Sequence, residues 1–137
     1  TTMSEVAKDQ LRMGMMAAED LDEFIAVERA VYSHPWTRGN FTDSLNAGYH
    51  CRTYRIGAQL VGYFVLIVAV GEAHLLNLSV SAARQRQGTG SVLLTEAMRL
   101  ARETKAHHII LEVRPSNAPA LAIYSAVSFR RIDARRG

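Results

Sequence analysis

With a single cysteine, Cys51, the 137-residue sequence cannot form an internal disulfide. A lone thiol fits a reducing compartment, so a cytoplasmic location is expected. Long apolar runs are missing too. The longest, LVGYFVLIVAV, falls well short of a bilayer's thickness, and no membrane association is expected. The segment TTMSEVAKDQ lacks the apolar core of a secretory leader. Repeats, low-complexity tracts and linkers are absent, so residues 1–137 read as one domain, long enough to bury a core. The 48% hydrophobic and 21% charged content is that of an ordinary globular domain.

The net charge of +3 and a pI near 9.4 raise the question of a nucleic-acid partner. The basic residues are scattered, however, apart from Arg84 and Arg86 and the C-terminal Arg130, Arg131, Arg135 and Arg136. No basic helix with interleaved aromatics occurs, and direct nucleic-acid binding is not expected. A polyanionic small ligand accounts for the positive balance equally well. His34, His50, His74, His107 and His108 show no metal-ligand spacing with acids or Cys51, so no metal is expected. Cys51 has no evident base partner and reads as a small strand residue.

What is present reads as alternating helices and strands. AAEDLDEFIAVERAVY carries Leu21, Phe24, Ile25 and Val31 near helical spacing, with Asp20 as its N-cap. Pro35 forces His34 out of helical conformation. Thr37 can cap a second helix with Phe41 and Leu45 on one face. YHCRTYRI and QLVGYFVLIVAV form a hairpin about Gly57-Ala58; a turn at Gly71-Glu72 then leads into a third strand, AHLLNLSV. A helix from about Ser91 to Thr104 places Leu93, Ala97 and Ala101 in one row, beside Leu94 and Met98. HHIILEVR is a strand with Ile109, Leu111 and Val113 on one face and Ile110 and Glu112 on the other. SNAPALAIYSAV reads as a short helix and FRRIDARR as a closing strand. The order implies an α/β (α+β) domain: a mixed, mostly antiparallel sheet with helices on its faces.

Between the third strand and its helix lies RQRQGTGS. Gly88 and Gly90 let a ligand approach the backbone and permit positive φ, and the amides of residues 86–91 would converge on an anion at a helix start. Arg84 and Arg86 would add charge. The stretch lacks the Lys-Ser/Thr of a P-loop and the third glycine of a dinucleotide fingerprint, and taken by itself it reads equally as a loop ending. Glu112, in an otherwise apolar strand, is either an exposed carboxylate or, if partly covered, a general base. Tyr124 is either a core tyrosine or a proton donor, and Asn117 fits a turn or cap.

In combination these residues resemble the GNAT family of acetyl-CoA-dependent N-acetyltransferases. Gln85-Arg86-Gln87-Gly88-Thr89-Gly90 matches its Gln/Arg-x-x-Gly-x-Gly/Ala signature. SHPWT at 33–37, HLLNLSV at 74–80 and LEVRPSNAPALAIY at 111–124 resemble the RimI-type branch, whose members acetylate the N-terminal alanine of a small-subunit ribosomal protein. The likeness runs from about residue 11 to 136. It implies acetyl-CoA as acetyl donor, no metal, and the N-terminal segment of that ribosomal protein as partner. It further implies Glu112 as proton acceptor and Tyr124 as proton donor. Cofactor contacts would come from Leu78, Ser79, Val80, Arg86, Gln87, Gly88, Thr89, Gly90, Ser91 and Asn117.

The chain departs from the family at Ser128, where relatives carry glycine, and relatives continue beyond the Arg130-Arg131 pair with one more strand. On this likeness the GNAT fold is expected to lack its final C-terminal strand. Two alternatives stay open: a GNAT enzyme acting on another protein or small-molecule amine, and a coenzyme A-binding module without catalysis. A small basic RNA-associated domain would predict salt-dependent nucleic-acid affinity, and the motif set argues against it.

Overall fold

A computed structural model of the chain describes residues 11–85, 88–111 and 133–134. Its described strands are β1 (Leu11–Met15), β2 (His50–Ile56), β3 (Gln59–Ala69), β4 (Glu72–Val80), β5 (His108–Leu111) and β6 (Asp133–Ala134). The helices are α1 (Leu21–Val31), α2 (Arg38–Asn46) and α3 (Thr89–Glu103). The strands make one sheet in the order β1-β2-β3-β4-β5-β6. Pairing is antiparallel through β4, then parallel from β4 to β5 and from β5 to β6. This is the expected mixed sheet with a helix crossover, and it splits the core into two layers.

On one face lies α3. Its row Leu93, Ala97 and Ala101, with Leu94 and Met98 alongside, packs on Phe64, Leu66, Leu75, Leu78 and Ile109. Gly62 permits the close approach, because a Cβ there would stand 2.7 Å from Leu93 Cδ2 and 2.7 Å from the Ser79 carbonyl oxygen. On the other face α1 and α2 place Leu21, Phe24 and Phe41 over Cys51, Leu60, Tyr63 and Val65. Phe24, Phe41 and Tyr63 meet edge-on or tilted at 5.4–5.9 Å between centroids, the geometry ring quadrupoles favour.

Helix limits follow the local chemistry. The Thr37 hydroxyl accepts from Asn40 N (3.2 Å) and Asn40 Oδ1 accepts from Thr37 N (2.9 Å), a reciprocal cap that starts α2. Asp20 stands at the N-cap of α1, but its side chain makes no capping bond there, since a 3-10 turn over Ala18–Asp20 leads into the helix. α1 ends at Val31, where Tyr32 turns extended ahead of Pro35.

Three expectations need correction. β1 has no counterpart in the sequence reading; Leu11, Met13 and Met15 alternate, yet Met13 and Met15 are exposed, so the strand buries little on the core. The β3–β4 turn is Val70-Gly71, one residue earlier than expected, with φ of 53° and 78°. α3 begins at Thr89 instead of Ser91, which puts Gly90 inside the helix. The expected final helix, and the question of a missing last strand, fall on chain outside the described residues.

Candidate active site

β4 carries the first half of the site. It pairs with β3 along its length, but its described pairing with β5 covers only Glu72–Leu75. Antiparallel strands alternate which residues face their partner. Ser81 N donates to Val61 O (3.0 Å), so Ser79 faces β3 while the carbonyls of Leu78 and Val80 point away from it. Both outward carbonyls are engaged by side chains from outside the sheet. Tyr32 OH donates to Leu78 O at 3.0 Å, and Gln85 Nε2 donates to Val80 O at 3.2 Å. A row of outward main-chain groups is what an extended amide-bearing ligand pairs with when it lies along a sheet edge.

The glycine loop supplies the second half. Gly88 is the N-cap of α3 with φ 83° and ψ −1°, the left-handed conformation that glycine adopts without steric cost. Gly90 has no such φ; it is buried in the first turn beside Thr89. The first-turn amides of an α-helix have no acceptor within the helix, so residues 89–91 present an anion-favouring end. Ser81 Oγ, where β4 ends, is buried and has no hydrogen-bond partner among the described residues. Arg84, expected to add charge to the loop, instead donates to Gln59 Oε1 at 2.8 Å.

Leu78 and Val80 thus lie on the outward edge of β4, Ser79 between them faces β3, and Gly88, Thr89, Gly90 and Ser91 form the start of α3. Glu112, Tyr124, Asn117, Arg86 and Gln87 lie outside the described residues. Cys51 is buried in the α1–α2 face, and burial pushes its thiol up to about 11, which agrees with a packing role. Among the described residues no group of three or more His, Cys, Asp or Glu is arranged to hold a metal ion. No described helix is long and apolar enough to cross a membrane.

One residue of this region escaped the sequence reading. Glu28 of α1 is completely buried, with its carboxylate between the turn that follows α1 and strands β3 and β4. Its Oε1 accepts from Trp36 N (2.7 Å), and its Oε2 accepts from Tyr63 OH (2.6 Å) and Asn77 Nδ2 (2.9 Å), with Ser79 Oγ 3.4 Å away. Ser79 Oγ also bonds Tyr32 OH at 2.7 Å and donates to Asn77 Oδ1 at 2.6 Å. Burial, followed by the nearby carboxylate, pushes the Tyr63 phenol far above its ordinary range, so it stays a donor. A signal did exist: Glu28 lies four residues after Phe24 and seven after Leu21, on the apolar stripe of α1.

The sequence model of the acetyltransferase (GNAT) family matches residues 15–129. The [ribosomal protein bS18]-alanine N-acetyltransferase of Haemophilus ducreyi is 29% identical over 118 residues, covering 86% of this chain and 81% of the relative. The crystal structure of the ribosomal-protein-S18-alanine N-acetyltransferase from Escherichia coli superposes with a TM-score of 0.75 at 26% identity, over 85% of this chain and 75% of that one. A Thermoplasma acidophilum PaiA N-acetyltransferase crystallised with coenzyme A shares the fold, with a TM-score of 0.71 at 17% identity, over 85% of this chain and 87% of that chain.

Proposed function

The chain belongs to the GNAT family of acetyltransferases, and from that premise we propose that it acetylates the N-terminal alanine of a small-subunit ribosomal protein with acetyl-CoA. The observations that carry the reading are the outward carbonyls of Leu78 and Val80 on β4 and the left-handed Gly88 at the start of α3. The pantetheine arm of acetyl-CoA is an extended chain with two amides, suited to pairing with β4 as an added strand. Its pyrophosphate is suited to the amides of residues 86–91. The positive net charge favours the same polyanion.

The chemistry asked of the protein is modest. A terminal α-amine has a pKa of about 7.7–8.0, so a fraction is already neutral near pH 7. The amine nitrogen attacks the thioester carbonyl, Glu112 accepts the amine's proton, and Tyr124 donates a proton to the departing coenzyme A sulfur. Asn117, Arg86 and Gln87 complete the contacts to the donor. The lone reduced thiol and a ribosomal substrate are consistent with a cytoplasmic site of action.

The test uses peptides beginning Ala-Arg, acetyl-CoA and intact-mass detection. One acetyl addition at the peptide terminus is expected, and none at a lysine-only peptide. Glu112→Gln and Tyr124→Phe should each lower kcat by about 100-fold or more while leaving acetyl-CoA affinity within about twofold. Wild-type turnover in both variants would refute the assigned roles. Acetyl-CoA protection against unfolding without transfer to any amine would replace the reading with a binding module.

A further inference from the structure

Glu28 is the only charged residue among the buried polar ones of the described chain, and its partners come from separate parts of the fold. Trp36 belongs to the turn between α1 and α2; Tyr63 lies on β3, and Asn77 and Ser79 lie on β4. Burying a carboxylate is costly unless donors surround it, and here three converge on its two oxygens. The arrangement therefore reaches well beyond what closing a helix end requires.

We infer that Glu28 is a positioning residue that fixes the turn 33–37 against the outward edge of β4 and so sets the approach of the acceptor amine. The inference rests on the functional reading above, in which the donor's thioester lies along β4. Tyr32 OH reaches Leu78 O, so the turn begins beside that edge. Ser33, His34 and Pro35 are exposed and Trp36 is half-buried against Phe41, with ring centroids 5.2 Å apart. An incoming peptide amine must pass a segment flanking the edge, and this turn is one with free surface. Among the described residues, the bond from Trp36 N to Glu28 Oε1 ties its main chain to the core. The carboxylate's other oxygen is bound to the β4 side chains next to Leu78, so one group sets the distance between turn and strand.

Glu28→Gln separates these bonds. Its amide oxygen can stay with Tyr63 and Asn77 only by turning the NH2 group onto Trp36 N–H, which puts two donors face to face. Keeping the two-donor side leaves the turn as the part released. Losing one buried hydrogen bond to a charged acceptor corresponds to about a tenfold change in an equilibrium. In steady-state assays with the full chain, E28Q should raise the peptide's KM about tenfold and leave the acetyl-CoA Kd within about twofold. Leu66→Ala, a truncation in the opposite core layer, serves as the stability control and should leave the peptide's KM within about twofold.

An unchanged peptide KM in E28Q, or an equal rise in L66A, overturns the inference while leaving the functional reading intact. Absence of transfer by the wild-type chain overturns both. If E28Q fails to fold, amide hydrogen exchange on the wild type decides. Protection of the Trp36 amide by about 100-fold or more is expected for a donor to a buried carboxylate, and unprotected exchange sinks the inference.

Discussion

The two faces of the sheet are closed by different chemistry. Under α3 the contacts are mostly aliphatic, with Phe64 and Tyr54 the aromatic members: Leu93, Leu94, Ala97 and Met98 pack there with Leu66, Leu75 and Ile109. Under α1 and α2 lie aromatic rings and a carboxylate that binds a main-chain N–H, a phenol and an amide. An apolar layer tolerates exchange of one hydrocarbon for another of like volume, because dispersion and burial have little direction. A satisfied polar cluster tolerates very little, since each lost acceptor strands a buried donor. The first layer thus gives stability, and the second fixes relative positions of the elements flanking β4.

The comparison can be broken by substitution. The largest effect is expected from Glu28→Ala, which removes the acceptor of three donors and should cost about 4 kcal/mol in urea unfolding. Leu66→Ala, in the aliphatic layer, should cost about 3 kcal/mol through lost burial and a cavity. A larger loss for L66A than for E28A would reverse the ranking of the two layers. Gly62→Ala should cost about 2 kcal/mol, because the added methyl meets the Ser79 carbonyl and Leu93 within van der Waals distance. A neutral result would show that α3 can shift outward. The smallest change is a gain. Val70 holds φ 53° in a two-residue hairpin turn, where a β-branched residue is strained, and Val70→Asn should raise stability by about 1 kcal/mol in thermal unfolding.

Legibility followed the same division. The α3 row was readable because Leu93, Ala97 and Ala101 recur at helical spacing and all three are buried. The hairpin β2–β3 was readable from its apolar run and the Gly57 turn, where φ is 60°. β1 was not, because its alternating Met13 and Met15 are exposed and little else marks an edge strand. The turn at Val70-Gly71 was misplaced by one residue because valine gives no warning of positive φ. At the site, the glycine motif was legible as a helix start. That Gln85, the motif's first residue, grips the Val80 carbonyl was not.

By itself the sequence determined the order of most helices and strands, the aliphatic layer and the family pattern, because these are properties of neighbours along the chain. Hydrophobic periodicity reports which side of an element is hidden, whatever it is hidden against. Only the tertiary structure decided that Glu28 is an acceptor instead of one more charge on a helix. Its donors are 8, 35 and 49 residues away, and no local pattern encodes a convergence of that range. The direction of the Leu78 and Val80 carbonyls was likewise settled by the register of β3 on β4, because strand pairing decides which main-chain groups face away from the neighbouring strand.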